Sequence, residues 1–173
     1  NASSKLLLSS SITVDRVSTS LASLGLDVDG DSTVTSLSVG HTTPVSIASG
    51  KTLSGAITVT AGSIKLGEAG TLGSTVSMSG GTLDADNSST LSGTLTQGGS
   101  ITIDVASGKT LTYSGAALSL GAYTLTMSGE GRFSNSNALV LNNASSKLLL
   151  SSSITVDNVS TSLASLGLDV DAN

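Results

Sequence analysis

Cysteine and tryptophan are absent from the 173-residue chain, and proline occurs once. Without cysteine the chain has no disulfide and no thiolate metal site. Aromatic residues make up only 2%, too few rings for a thick globular core. Seven Lys and Arg against twelve Asp and Glu give a net charge of −5. Because no basic stripe attracts a phosphate backbone, we exclude nucleic acid as a partner.

The hydrophobic residues are mainly Leu, Val, Ile and Ala, and they are interleaved with Ser, Thr and Gly. They reach 38% of the chain, whereas charged residues make up 11%. A disordered chain would carry fewer aliphatic side chains and more charge. No apolar run approaches the roughly 18–20 residues that cross a bilayer, so we expect no membrane insertion in this segment. The composition predicts a narrow core filled by rows of small, branched, strand-favouring side chains.

A long tandem repeat is the strongest feature of the sequence. Residues 143–173 repeat residues 1–31 at an offset of 142, with 28 of 31 positions identical. The three differences are Arg16/Asn158, Gly30/Ala172 and Asp31/Asn173. We therefore expect residues 1–142 to form one full tandem unit and residues 143–173 to start the next near-identical unit, in an array that continues beyond both ends.

A shorter period lies inside the long one. The phrase ASGKTL occurs at residues 48–53 and 106–111, and EAGTL and NSSTL occur at 68–72 and 87–91. The apolar residues that end these phrases follow one another at spacings of 19, 19, 19 and 20, along Val34, Leu53, Leu72, Leu91 and Leu111. This spacing predicts stacked coils of about 19–20 residues, about seven in each unit.

Two stretches depart from that spacing. From Leu7 to Val34 the spacing is 27, which predicts a first coil with an insertion of about eight positions around 15–22. This extra segment suits either a short helix or a bulging loop. From Leu111 to Leu149 the spacing is 38, which Phe133 divides into 22 and 16.

Apolar residues alternate with Ser and Thr inside each coil, and Gly-rich breaks recur between the alternating groups. Alternation with a period of two is typical of strands, and glycine favours tight corners. A single coil cannot bury its inward face, so neighbouring coils have to stack. The sequence predicts an all-β fold, a three-sided parallel β-helix (β-solenoid), right-handed by the crossover rule.

An acidic segment is the candidate metal site. Asp27, Asp29 and Asp31 are spaced by two around a bend that Gly30 permits, and carboxylates in such a pattern can bind calcium. The alternative is a solvated corner. No other cofactor is expected.

Two outward rows are further candidate sites. Lys65, Asp84 and Asp104 recur once per successive coil, and paired acids at strand spacing can perform acid–base chemistry; the alternative is a surface ion pair. Thr-x-Thr and Thr-x-Ser pairs recur on other strands and resemble the rows of ice-binding proteins, although Thr is also a common outward strand residue. We expect no catalytic residue and no enzyme activity.

The phrases ASGKTL, GGTL (80–83) and SGTLT (92–96) resemble the β-helical repeats of bacterial surface adhesins and of giant repetitive extracellular fibre proteins. Filamentous-haemagglutinin-type and autotransporter-type solenoids share coils of about this length. The resemblance implies a structural extracellular fibre or adhesin stalk at a bacterial surface, used for adhesion, biofilm or a cell coat. The expected partner is the chain itself, through end-to-end stacking of units. The alternative is a ligand-binding solenoid module for ice, glycan or calcium.

Overall fold

The computed structural model describes residues 4–19, 24–41, 44–161 and 168–170. Within these ranges every regular element is a β-strand, and no helix long and apolar enough to cross a membrane occurs there. The strands are β1 (Ser4–Leu8), β2 (Ile12–Thr19), β3 (Leu24–Val28), β4 (Ser32–Gly40), β5 (Val45–Ile47), β6 (Thr52–Ala61), β7 (Ser63–Leu66), β8 (Thr71–Leu72), β9 (Val76–Met78), β10 (Thr82–Ala85), β11 (Ser89–Leu91), β12 (Leu95–Gln97), β13 (Ile101–Val105), β14 (Thr110–Tyr113), β15 (Leu118–Ser119), β16 (Thr124–Gly129), β17 (Arg132–Asn135), β18 (Leu139–Leu141), β19 (Lys147–Leu150), β20 (Thr155–Val156), β21 (Val159–Thr161) and β22 (Leu168–Val170).

The strands form three parallel sides that wind about seven times around one axis. The first side is β1-β3-β5-β7-β10-β13-β16-β19-β22. The second side runs from β2, β4 and β6 through β8, β11, β14 and β17 to β20, and the third runs from the far halves of β2, β4 and β6 through β9 to β12 and continues as β15-β18-β21. The all-β, three-sided, parallel β-solenoid predicted from the sequence is therefore confirmed.

The strand register measures the coils directly. On the first side Leu26, Val45, Ile64 and Leu83 are successive neighbours, and the residue number rises by 19 at each step. From Leu83 to its neighbour Ile103 the number rises by 20. The predicted coil length is therefore confirmed in this part of the stack. The next two coils on this side are longer, with steps of 24 and 23, and the step from Leu148 to Leu168 is again 20.

The predicted long first coil is wrong. Val14 pairs with Val34, so the step on this side is 20 instead of the expected 27. The helix alternative for residues 15–22 is also wrong at residues 15–19, which continue strand β2; residues 20–22 lie outside the described ranges. The discrepancy arose because Leu7 belongs to the first side and pairs with Asp27, whereas Val34 belongs to the second.

Two other apolar anchors have neighbours different from those predicted, and for Leu91 the shift is two positions. Leu91 pairs with Tyr113 instead of Leu111. Phe133 does pair with Leu111, as the predicted step of 22 required, but its next neighbour is Val156 rather than Leu149. Because strand side chains alternate with a period of two, a frame displaced by one full period keeps every apolar residue inward, and the pattern alone does not separate the two frames.

The core is a stack of inward-pointing aliphatic rows. Leu53, Leu72 and Leu91 follow one another on the second side and are fully buried. Tyr113 and Phe133 extend the filling in the later coils, with ring centroids 6.0 Å apart and nearly parallel planes. This arrangement leaves the alternate residues of every strand outward, where any site has to be built.

Candidate functional site

The structure separates the roles of the three acidic residues proposed as calcium ligands. Asp27 lies outward on β3, and its Oδ2 atom is 2.8 Å from Nζ of Lys5. Oδ1 of Asp31 accepts a hydrogen bond of 2.9 Å from the backbone N–H of Thr52. Asp29 is exposed. Among the described residues no three His, Cys, Asp or Glu side chains form a group that could hold a metal, and calcium binding by Asp27, Asp29 and Asp31 stays a prediction.

The charged row on the first side has the predicted order. Lys65 and Asp84 are register neighbours, and so are Asp84 and Asp104. Nζ of Lys65 lies 2.8 Å from Oδ2 of Asp84 and 3.3 Å from Oδ2 of Asp86. The hydrogen bond and charge of Asp84 raise the pKa of Lys65. Asp104 accepts a hydrogen bond from Ser128 of the next coil, so this row is a ladder of paired groups.

Hydroxyl groups form two outward rows. Thr52, Thr71, Thr90 and Thr112 are successive neighbours on the second side. On the third side Thr58, Ser77 and Thr96 are successive neighbours. The second of these rows borders a shallow cavity of about 280 Å³, lined by Thr58, Ser77, Met78, Ser79, Thr96 and Gly98. This "hydroxyl groove", defined by those six residues, was not predicted from the sequence.

The second copy of the repeat stacks directly on the coil formed by residues 119–142. We call this contact the unit junction. All three sides continue through it: β16 pairs with β19, β17 with β20, and β18 with β21. Leu148 in the second copy pairs with Leu125 and is fully buried. The junction therefore continues both the backbone ladders and the apolar rows of the unit.

One ion pair on the outer surface ties the junction together. Nε and Nη2 of Arg132 lie 2.8 and 3.0 Å from the two carboxylate oxygens of Asp157. Oγ of Ser134 donates a further hydrogen bond of 2.9 Å to Asp157. The hydrogen bond from Arg132 is the main reason why the pKa of Asp157 is lowered. A planar guanidinium and a carboxylate paired in this two-point geometry restrict the relative position of the two strands.

Two asparagines form a second polar contact across the junction. Nδ2 of Asn135 donates to the backbone oxygen of Asn158 at 2.8 Å, and the backbone N–H of Asn158 donates to Oδ1 of Asn135 at 3.2 Å. Nδ2 of Asn158 in turn donates to the backbone oxygen of Asn135. Asn135 points inward and is buried; its Nδ2 also donates to the backbone oxygen of Asn137, and the junction bonds supply the partner of its Oδ1.

The first copy of the repeat forms the opposite end of the described stack. Strands β1 and β2 each have a paired strand on one side only, within the described part of the chain. Leu6 and Ile12 are 45% and 43% exposed. At the equivalent positions of the second copy, Leu148 is 0% and Ile154 8% exposed. We call β1 and β2 together the N-terminal edge.

Sequence reasoning did not find Arg132, Asp157 or Asn135 as junction residues. The available signal was the repeat itself, because Asp157 has an equivalent residue, Asp15, in the first copy. The missing information was the register, because Asp157 lies 25 residues after Arg132, well away from the predicted coil length.

Comparison with protein-family models, with curated proteins and with solved structures finds no match to this chain.

Proposed function

We propose that this chain is a structural segment of an extracellular fibre or adhesin stalk, in which β-solenoid units stack end to end. The observation that carries the proposal is the unit junction, which is paired on all three sides. An open sheet edge promotes pairing with another strand, and the near-identical copy supplies strands of matching sequence. A parallel strand ladder that continues without interruption across the unit boundary keeps the rod stiff there, as a spacer requires.

The proposed location is the outside of a bacterial cell. The support is the resemblance of the ASGKTL, GGTL and SGTLT phrases to β-helical adhesin repeats. The narrow aliphatic core and the Ser- and Thr-rich exterior suit a fibre whose role is length and resistance to proteolysis, in adhesion, biofilm or a cell coat. In this proposal the chain is not an enzyme, and the Lys65–Asp84 pair contributes to the surface only.

Particle length tests the fibre proposal. Chains with one, two and four units should appear by negative-stain microscopy as rods of constant width. With a rung spacing of about 4.8 Å and about seven coils per unit, each added unit should lengthen the rod by roughly 34 Å. Particles that grow in width, or that stay compact as units are added, would contradict end-to-end stacking.

A second candidate function is ligand binding at the hydroxyl groove. Three neighbouring residues, Thr58, Ser77 and Thr96, line this shallow surface, and their hydroxyls can both donate and accept hydrogen bonds. A glycan-array screen and a thermal-hysteresis assay would separate sugar from ice. Binding should disappear in a Thr58→Val/Thr96→Val variant and persist in Thr52→Val/Thr90→Val, which changes the other hydroxyl row.

Calcium binding is tested separately at the acidic segment. If Asp27, Asp29 and Asp31 bind the ion, calcium should raise the melting temperature of the chain, because a ligand that binds only the folded state stabilises it. The shift should be lost in Asp29→Asn and kept in Asp86→Asn. Equal melting with and without calcium would overturn this site.

A further inference from the structure

We propose that the N-terminal edge is a docking site for the coil 119–142 of a preceding copy of the unit in the same tandem polypeptide, and that Asp15 fixes the register by pairing with that copy's Arg132. The proposal deepens the proposed fibre function and rests on it. It assigns a docking role to an exposed carboxylate that has no role within the described unit.

The first step is the identity of the two edges. Residues 1–15 and 143–157 have the same sequence. In the second copy this sequence covers coil 119–142, whereas in the first copy it forms β1 and the first half of β2 at an end of the described stack. The copies follow one another directly at Asn142 and Asn143 without a linker segment. The coil 119–142 already pairs with residues 143–157. It therefore also fits the identical sequence at the N-terminal edge.

The second step is the apolar match. Leu125 pairs with Leu148, the equivalent of Leu6, and Phe133 pairs with Val156, the equivalent of Val14. Leu6 is exposed at the N-terminal edge, whereas Leu148 is fully buried. Docking of a preceding coil would remove this apolar surface from water, which is the main favourable contribution to association.

The third step is the need for a register signal. Apolar rows with a period of two tolerate a slip of one full period, as the inward residues Leu111 and Tyr113, two positions apart beside β11, illustrate. A two-point Arg–carboxylate pair does not tolerate that slip, because one period along a strand corresponds to roughly 6.6 Å. Asp15 is the position equivalent to Asp157, and it is exposed on the outer surface of β2. Docking would give it the contact that Asp157 has with Arg132.

The fourth step is the one described difference between the two copies at the junction. Arg16 occupies the position of Asn158. The backbone N–H and oxygen of this position contact the Asn135 side chain in the second copy, and any residue type except proline supplies those groups. Arg16 lacks only the side-chain amide bond to the Asn135 backbone. The docking contact therefore survives this substitution.

The test uses a two-unit chain in which residues 1–142 precede the complete 173-residue chain. The chain has no native cysteine, so an introduced pair gives a single disulfide. Thr126 pairs with Leu149, the equivalent of Leu7. Thr126→Cys in the first unit and Leu7→Cys in the second should therefore cross-link, since neighbouring strands lie about 4.8 Å apart and disulfides need Cα atoms within roughly 6.8 Å. Thr126→Cys with Ser9→Cys reports the slipped register and should not cross-link.

Asp15→Asn in the second unit should lower the ratio of in-register to slipped cross-links at least several-fold. Asp86→Asn in the second unit is the control: it also removes one exposed carboxylate, but away from the N-terminal edge, and should leave the ratio unchanged. An unchanged ratio in Asp15→Asn, or cross-links found only between separate chains, would overturn the docking proposal.

Negative-stain microscopy of the same samples separates the two proposals. Rods of two-unit length with no in-register cross-link would overturn the docking contact alone. Compact particles with no cross-link would overturn the fibre proposal together with it. Rods with the in-register cross-link support both.

Discussion

At the scale of single residues, stacking leaves almost no room between the backbones of neighbouring coils at certain corners. Gly93 is buried, and a Cβ atom built on it would lie 1.4 Å from the backbone oxygen of Ser74 in the preceding coil. At Gly98 the nearest atom to such a Cβ is 3.8 Å away. Glycine is therefore required at one corner by close approach and is replaceable at the other.

This contrast gives the first prediction. Gly93→Ala should destabilise the chain by about 1–3 kcal/mol, because the added methyl group forces the two coils apart. Gly98→Ala should change stability by less than about 0.5 kcal/mol. Urea unfolding followed by circular dichroism measures both. Equal unfolding midpoints for the two variants would contradict the close approach at Gly93.

Tyr113 is a second residue whose role depends on its buried position. Its hydroxyl donates to the backbone oxygen of Ala116 at 2.6 Å and accepts from the backbone N–H of Leu95 at 3.2 Å. Tyr113→Phe leaves both backbone groups without this partner, which should cost about 1–3 kcal/mol. Tyr123→Phe, at an exposed ring, should have little effect on the unfolding midpoint.

The same hydroxyl predicts a dependence on alkaline pH. Burial raises the pKa of Tyr113 above its ordinary value of 10.0. The folded state therefore favours the neutral phenol, and its contribution to stability is complete below the unfolded pKa and is lost as the pH rises through the folded pKa. The urea midpoint should fall more steeply above about pH 10 in the native chain than in Tyr113→Phe. Parallel pH profiles for the two chains would contradict this prediction.

At the scale of elements, the sequence predicted strands and their inward faces well. The three neighbours Leu53, Leu72 and Leu91 were placed correctly, and so was the outward row of Lys65, Asp84 and Asp104. The coils that carry these residues share nearly one length, so a single repeat frame fits each of them.

The prediction was wrong where the coils change length. Leu91 and Leu111 share the same phrase ending, but the longer later coil brings Tyr113 beside Leu91. A shift by one strand period leaves the inward pattern unchanged, so hydrophobicity does not report it. The Arg132–Asp157 contact depends on that register, and for this reason it was not found from the sequence. Register in such a fold is decided by corners and polar contacts, which carry little periodic signal.

The Arg132–Asp157 pair predicts an acid-sensitive junction. The hydrogen bond from Arg132 lowers the pKa of Asp157 below its ordinary value of 3.8. The folded state therefore favours the carboxylate, and the resulting stability is present above the unfolded pKa and is lost as the pH falls through the folded pKa. Between pH 5 and pH 3 (roughly, around the unperturbed Asp pKa) the melting temperature of the native chain should fall more than that of Asp157→Asn.

The matched control for that experiment lies in the first copy. Asp15 has the same sequence neighbours on its N-terminal side as Asp157, but it lies on the N-terminal edge. Asp15→Asn in the 173-residue chain should leave the acid profile unchanged. If both variants flatten the profile equally, the acid sensitivity does not come from the junction.

At the scale of the whole molecule, stability should depend on whether each coil has neighbours. Solenoid repeats contact only the coils next to them, so stability is approximately a sum of coil and interface contributions. The coil 119–142 presents the inward residues Leu125, Phe133 and Leu139, which the second copy covers through β19, β20 and β21. Removing that cover exposes a complete layer of the core in one step.

We therefore predict that a chain ending at residue 142 melts at a lower temperature than the 173-residue chain and associates at concentrations where the longer chain does not. Each large aliphatic side chain that loses burial costs roughly 1.5–3 kcal/mol, and three parallel sheets lose their pairing together. A chain ending at residue 161 keeps β19, β20 and β21 and is the control. Differential scanning calorimetry and size-exclusion chromatography compare the three lengths. If the chain ending at 142 matches the chain ending at 161, the second copy does not stabilise the coil beneath it, and an array of such units would gain nothing from continuity.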